Sequence, residues 1–233
     1  MEVDTLARWA LVLGSIFLFT GCADNTEDAK KALQTKFHTN SDVEYRGLKN
    51  FPGGVVCGEY NPEGEWGIRE GYRRFIVRNN EPDRIASDDD WEIFCSKDPS
   101  AKLQDRFGIG PMNKANAALL QVQGDLNGLD LALNAYIKDN FIFPVTKQGL
   151  DALVNASNSA PKPGKFREGG YIDEIPLDPW GRPYHYIYEE QLRMEPRKYT
   201  LYTLGKDGVE GGQGENADIS NEHLKYLNHI MNL

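Results

Sequence analysis

Leu119-Leu120-Gln121-Val122-Gln123-Gly124-Asp125-Leu126-Asn127-Gly128-Leu129-Asp130-Leu131-Ala132-Leu133-Asn134-Ala135-Tyr136 is the stretch from which the rest of the chain can be read. Leu119, Val122, Leu126, Leu129, Leu133 and Tyr136 recur at spacings of three and four, which lays one apolar stripe along an amphipathic helix of about five or six turns. Asn140 and Pro144 bound its end. A stripe of this kind is far more often core than a groove for a partner, so the helix is expected to pack on a sheet of the same chain.

Downstream, a short second helix is expected between Gln148 and Val154. A Pro-Lys-Pro-Gly loop at 161–164 follows, and then strands around 184–188 and 199–203. Tyr184, Tyr186 and Tyr188 share one strand face, a pattern that means cross-strand packing more often than a ligand cage. The last stretch, 222–233, reads as a short amphipathic helix with Leu224, Leu227 and Ile230 on one side, packed by default on its own domain. Upstream, Gly108-Ile109-Gly110-Pro111 reads as a hinge. Before it, strands are expected at 54–59, 72–77 and 91–95, separated by Pro, Gly and Asn clusters. Asp88-Asp89-Asp90 could be a cation site, but a solvated turn beside an edge strand is favoured.

Four pieces of the second half occur in order: Ala132-Leu133-Asn134-Ala135-Tyr136-Ile137-Lys138-Asp139-Asn140, then Pro144 to Val154, then Asp178-Pro179-Trp180-Gly181-Arg182-Pro183-Tyr184, then Gly205-Lys206-Asp207-Gly208-Val209-Glu210-Gly211-Gly212-Gln213-Gly214-Glu215-Asn216-Ala217-Asp218-Ile219. Together they closely resemble the major pseudopilin, the G protein, of type II secretion systems, over about Pro111 to Asn221. The resemblance implies a long helix laid across a small antiparallel sheet, with a carboxy-terminal loop wrapped around calcium. Asp207, Glu215, Asn216 and Asp218 supply oxygen donors there, and hard Ca²⁺ wants six to eight oxygens. By similarity the ligands are the side chains of Asp207 and Asp218 and the carbonyls of Leu204 and Val209, with Asn216 a further candidate. Without the resemblance, an acidic glycine-rich solvated turn would be the better reading, because the spacing is not that of an EF-hand. At a dissociation constant of roughly 10⁻⁴ M, about millimolar calcium would stabilise the fold by about 1.4 kcal/mol.

Val56-Cys57-Gly58-Glu59-Tyr60-Asn61, Gly71 to Val77 and Phe94-Cys95 also resemble small exported bacterial proteins without an established activity. That likeness supports a disulfide domain and carries no chemistry.

At the amino end, an apolar run from Trp9 to Phe19 follows Arg8 and closes at Leu18-Phe19-Thr20-Gly21-Cys22. The run is too short to span a bilayer and reads as a lipoprotein signal, with acylation of Cys22 expected after cleavage; an ordinary secretory peptide is the alternative. Export would place Cys57 and Cys95 in an oxidising compartment, where one disulfide is the natural reading and two independent buried thiols the alternative. The chain has 26 basic and 35 acidic side chains and a net charge of −9. That balance does not suit nucleic acid, where phosphate contacts demand basic patches.

The expected class is α+β: a small disulfide-closed antiparallel β domain followed by a pseudopilin-like head. The expected division is a signal peptide over 1–21, an acylated tether over 22–32, a β-rich domain over 33–107 and the G-like domain over 108–233. Pseudopilins begin with a short basic leader and an apolar helix that builds the filament shaft. Upstream of Pro111 this chain carries the disulfide unit instead.

The function expected is that of a lipid-anchored envelope protein, facing the periplasm or the cell surface, on the outer membrane rather than the inner. Its partners would be type II secretion or pilus-like components. The alternative is an envelope-binding lipoprotein whose head is only a scaffold for a ligand-binding amino-terminal domain. No enzyme is expected: His38, His185, His223 and His229 lie in unremarkable contexts, with no nucleophile elbow, zinc helix or phosphate loop around them. Glu59 with Arg73 or Arg74 is read as surface ion pairing.

Overall fold

The apolar stripe of the central stretch is buried along its whole length. In the computed structural model, which describes residues 25–37, 42–64, 66–69, 71–113, 115–189 and 198–233, helix α4 runs from Ala117 to Asn140. Leu119, Val122, Leu126, Leu129, Ala132, Leu133 and Tyr136 all point into the core. At 1.5 Å per residue its 24 residues reach about 36 Å. Asn116 starts it by accepting the Leu119 amide at 3.2 Å, and Phe141, with φ of 61°, ends it.

Against α4 lies a three-stranded antiparallel sheet, β5 (His185–Glu189), β6 (Lys198–Thr203) and β7 (Ile219–Ser220), in that order. The tyrosine face packs as expected. Tyr184 donates to Asp125 on α4 at 2.8 Å, Tyr186 donates to the Pro144 carbonyl at 2.7 Å, and Tyr199 donates to Asp130. Each hydroxyl thus finds an acceptor while the ring fills the core. Burial, reinforced by the carboxylates, pushes Tyr184 and Tyr199 far up from the usual phenol range. The short helix α5 (Asp151–Val154) lies within the stretch anticipated for it.

The amino-terminal unit is a four-stranded antiparallel sheet in sequential order: β1 (Val43–Phe51), β2 (Val55–Pro62), β3 (Arg73–Arg78) and β4 (Glu81–Asp83). Alternate residues of β2 and β3 bury on opposite faces. Val56, Tyr60, Phe75 and Val77 meet α1 (Thr26–Gln34), while Val55, Cys57 and Ile76 join the main core. Cys57 and Cys95 form a disulfide with Cα atoms 5.9 Å apart.

Several expectations need correction. Residues from 26 to 32 are not a free tether: Ala29, Ala32 and Leu33 of α1 are buried on the sheet, because small and apolar residues three and four apart face it together. The stretch 91–95 is not a strand. Asp88–Phe94 is helix α2, started by a capping box in which the Ser87 hydroxyl accepts the Asp90 amide while the Asp90 carboxylate accepts the Ser87 amide. The triple aspartate therefore fills a first helical turn, where negative charge suits the helix dipole, and Asp90 is buried rather than solvated. The disulfide accordingly ties a strand to the end of a helix.

Helix α3 (Pro99–Phe107) follows, capped by Asp98 and ended by Gly108. The segment 108–111 is a packed corner instead of a hinge: Ile109 is fully buried, and the Gly108 carbonyl accepts the Gly214 amide at 2.8 Å. One continuous core runs from Val55 and Phe94 through Leu103 and Ile109 to α4 and the sheet behind it. Helix α6 (Leu224–Met231) buries Leu224, Leu227 and Ile230 as its pattern foretold. It also buries Tyr226, whose ring lies 5.2 Å from Phe94 of α2, so α6 serves both units.

The anticipated signal peptide and Cys22 lie outside the described residues, as does His38. Among the described residues no helix is long and apolar enough to cross a membrane.

Candidate functional site

Between β6 and β7 the chain makes the glycine-rich loop 204–218, and two backbone constraints fold it. Gly205 has φ of +64°, and a side chain there would place its Cβ 2.6 Å from the Asn216 carbonyl carbon. Only glycine permits that approach. The strands of the loop are then zipped by Lys206, whose amide donates to the Glu215 carbonyl and whose ammonium pairs with the Glu215 carboxylate, both at 2.7 Å. Ala217 and Ile219 are buried, which roots the returning arm in the core.

Two of the five anticipated ligand residues converge on one short segment of this loop. Asp207 accepts the Val209 amide at 3.1 Å, and Asp218 accepts the Gly211 amide at 2.8 Å. Two residues of backbone span at most about 7 Å, so the two carboxylates are tethered to neighbouring points. The second oxygen of Asp218, Oδ1, is buried and has no hydrogen-bond partner. A carboxylate oxygen without a donor is unfavourable in the interior, and a cation relieves it. Asn216 turns its backbone carbonyl toward Gly205. The Val209 side chain is exposed and is hydrocarbon, so a cation could take only its main-chain oxygen. Among the described residues no three His, Cys, Asp or Glu side chains gather as a metal cluster. A cation here would therefore depend on main-chain oxygens as well as the two aspartates, which is compatible with hard Ca²⁺.

The loop is buttressed from behind by the Asp178 turn. The Asp178 carboxylate is buried; it accepts the Trp180 and Arg182 amides at 3.0 and 2.8 Å and the Thr203 hydroxyl at 2.7 Å. The turn is thus locked, and it aims Arg182 at the loop, where the guanidinium donates to the Gly205 carbonyl. A Cβ on Gly208 would lie 2.9 Å from the same guanidinium. Arg182 sits inside the sequence motif, yet spacing alone gave no sign that it braces a loop more than twenty residues away.

The histidines hold structural posts. His185 stacks on Tyr202, and His223 accepts the Ser220 amide at 3.0 Å while its ring lies against Phe107. His229 lies against Phe94. Glu59 pairs with Arg46 at 2.6 Å, and Arg74 pairs with Asp88.

A long helix packed on a small antiparallel sheet, finished by a braced glycine-rich loop, is the build of a pseudopilin head. The family model described as "Type II secretion system (T2SS), protein G" matches residues 111–222, and the chain belongs to that family. The chain is 40% identical over 111 residues to the type II secretion system core protein G of Pseudomonas aeruginosa, covering 47% of this chain and 75% of that one. It is 41% identical over 113 residues to the corresponding protein of Vibrio cholerae, covering 48% and 74%. Among solved structures, the crystal structure of the major pseudopilin from the type 2 secretion system of enterohaemorrhagic Escherichia coli is 37% identical. It covers 47% of this chain and 90% of that one, at a TM-score of 0.39. The four-stranded unit and α6 lie outside the matched residues.

Proposed function

We propose that this protein is an accessory component of type II secretion, a lipid-anchored envelope protein that presents a calcium-stapled G-type head to other parts of the machinery. One observation carries the reading: the G-type family match runs over residues 111–222, but the amino end of α4 is closed. Asn116 caps the helix, Pro111 and Gly110 precede it, and the chain turns back through α3 into the disulfide unit. A subunit of the filament shaft needs an apolar helix continuous with α4. This one substitutes a folded unit at that place, so its head is suited to contacts at the surface or end of an assembly.

In the loop, Asp207 and Asp218 would hold Ca²⁺ with the Leu204 and Val209 carbonyls, and Asn216 is a further donor. When bound, calcium supplies positive charge to the unpartnered Asp218 oxygen and ties the outgoing arm of the loop to the returning one. The chain itself does the rest: Arg182 and Lys206 hold the arms in place.

Crosslinking in cells followed by purification of the protein tests the assignment. Recovery of identified secretion-system subunits supports it; their absence, with the protein intact, counts against it. Mass measurement of the mature amino terminus tests the lipid on Cys22 separately.

A further inference from the structure

Helix α6 starts two residues past the end of the family match and is wedged between the two units, with His229 at its contact with the disulfide unit. The ring meets Phe94 of α2 edge-on at 5.2 Å. The turn between β1 and β2 presses on it from another side: a Cβ at Gly53 would lie 2.7 Å from His229 Cε1 and 2.9 Å from the Leu233 side chain. His229 Nε2 is buried and has no hydrogen-bond partner.

The groups facing this ring offer a proton no compensation. From β3, the Arg78 guanidinium lies 3.9 Å over the Phe94 ring that His229 also touches. Asn79, Asn228, Asn232 and Gly53 line the same cavity and are uncharged. From α6 itself, Lys225 adds another cation, held 2.5 Å from Asp90. Asp90 is engaged by Lys225, Ser87 and Tyr226. An imidazolium at position 229 would be desolvated and unpaired, with Arg78 as its charged neighbour.

We propose that α6 is an acid-released clasp, in which protonation of His229 frees the helix from α2 and the β1–β2 turn and so uncouples the disulfide unit from the pseudopilin-like head. Burial first, and then Arg78, holds the ring below the usual histidine range in the closed form. In the open form it returns to about 6.5. The sign follows: above about pH 6.5 both forms are neutral and the clasp is at full strength. As pH falls from there toward the closed-form value, the open form binds more protons and gains population. Each unit of separation between the two values gives about a tenfold increase.

Hydrogen exchange of the whole protein, corrected for the pH dependence of the chemistry, reads the opening. The α6 amides are expected to open more at pH 5 than at pH 7.5 relative to α4, and His229→Leu is expected to reduce the difference, leaving only the part owed to His223 at the start of the helix, which burial also holds low. The His229 ring proton, followed by NMR in the unmodified protein, is expected to titrate below 6.5. A midpoint at or above that value overturns the proposal even if the variant fails to fold. So does an unchanged pH dependence in a folded His229→Leu protein.

Discussion

Tyr226 donates a buried hydrogen bond to Asp90 at 3.0 Å across 136 positions of sequence. It joins α6, beyond the family match, to the first turn of α2 in the disulfide unit. Replacing Tyr226 by Phe keeps the ring on Phe94 and removes the donor. The expected loss is about 1–2 kcal/mol, seen as a lower urea midpoint with an unchanged slope.

Asp90 makes the same joint sensitive to strong acid. Burial pushes its carboxyl up, but hydrogen bonds from Lys225, Ser87 and Tyr226 outweigh this and hold it below the usual range. A carboxyl lowered in the folded state contributes fully above its unfolded value, about 3.9, and loses that contribution as pH falls toward the folded value. Between pH 5 and pH 3 the wild type should therefore lose more stability than Asp90→Asn, as measured by urea titration at each pH. The variant should be the less stable of the two at neutral pH.

The disulfide should matter twice. It closes a separation of 38 residues, for which chain entropy predicts about 4 kcal/mol. It also fixes the end of α2 one residue past Phe94, on which Tyr226 and His229 rest. Cys57→Ser with Cys95→Ser is expected to lower global stability by about 2–5 kcal/mol. Hydrogen exchange should speed up in α2 and α6 more than in the middle of α4.

The contrast between α4 and α2 shows what was legible in the sequence. The α4 stripe is long and buried on one side by a single sheet, so spacing alone placed every core residue from Leu119 to Tyr136 apart from Ala132. α2 is seven residues long, and its β-compatible Trp91, Ile93 and Phe94 outweighed the Ser87–Asp90 box that in fact decides it. β1 carries no period-two signal, because Gly47 and a shift of register between Arg46 and Lys49 break its alternation. At the loop, the aspartates were visible as oxygen donors. The brace from Asp178 and Arg182, and the pairing of Asp90 with α6, were not, since only the folded chain brings those positions together.

Gly205 should tolerate no side chain. Alanine there would force a positive φ and a Cβ 2.6 Å from the backbone of Asn216, and both arms of the loop are anchored, so neither can give way cheaply. A loss of about 2 kcal/mol or more is expected in Gly205→Ala, together with faster exchange at the Lys206 amide that zips the loop. Gly211→Ala is the control: it shares a positive φ of 93° but meets nothing within 4 Å. It should cost about 1 kcal/mol, from backbone strain alone.

Calcium and Asp218 give the most direct reading of the loop. Without a cation, the buried Oδ1 of Asp218 has no donor, a state that costs about 1–3 kcal/mol relative to a satisfied oxygen. Millimolar calcium acting through the proposed ligands should raise the melting midpoint by the equivalent of about 1–2 kcal/mol, and chelator should reverse it. Asp218→Asn keeps the side chain's shape and removes its negative charge, so the calcium response should vanish. In chelator the variant should stand within about 1 kcal/mol of the wild type, because the neutral amide is less costly to bury than an uncompensated carboxylate. Equal melting of the wild type in calcium and in chelator would remove the staple from the account, leaving Arg182, Lys206 and the glycine turns to hold the loop.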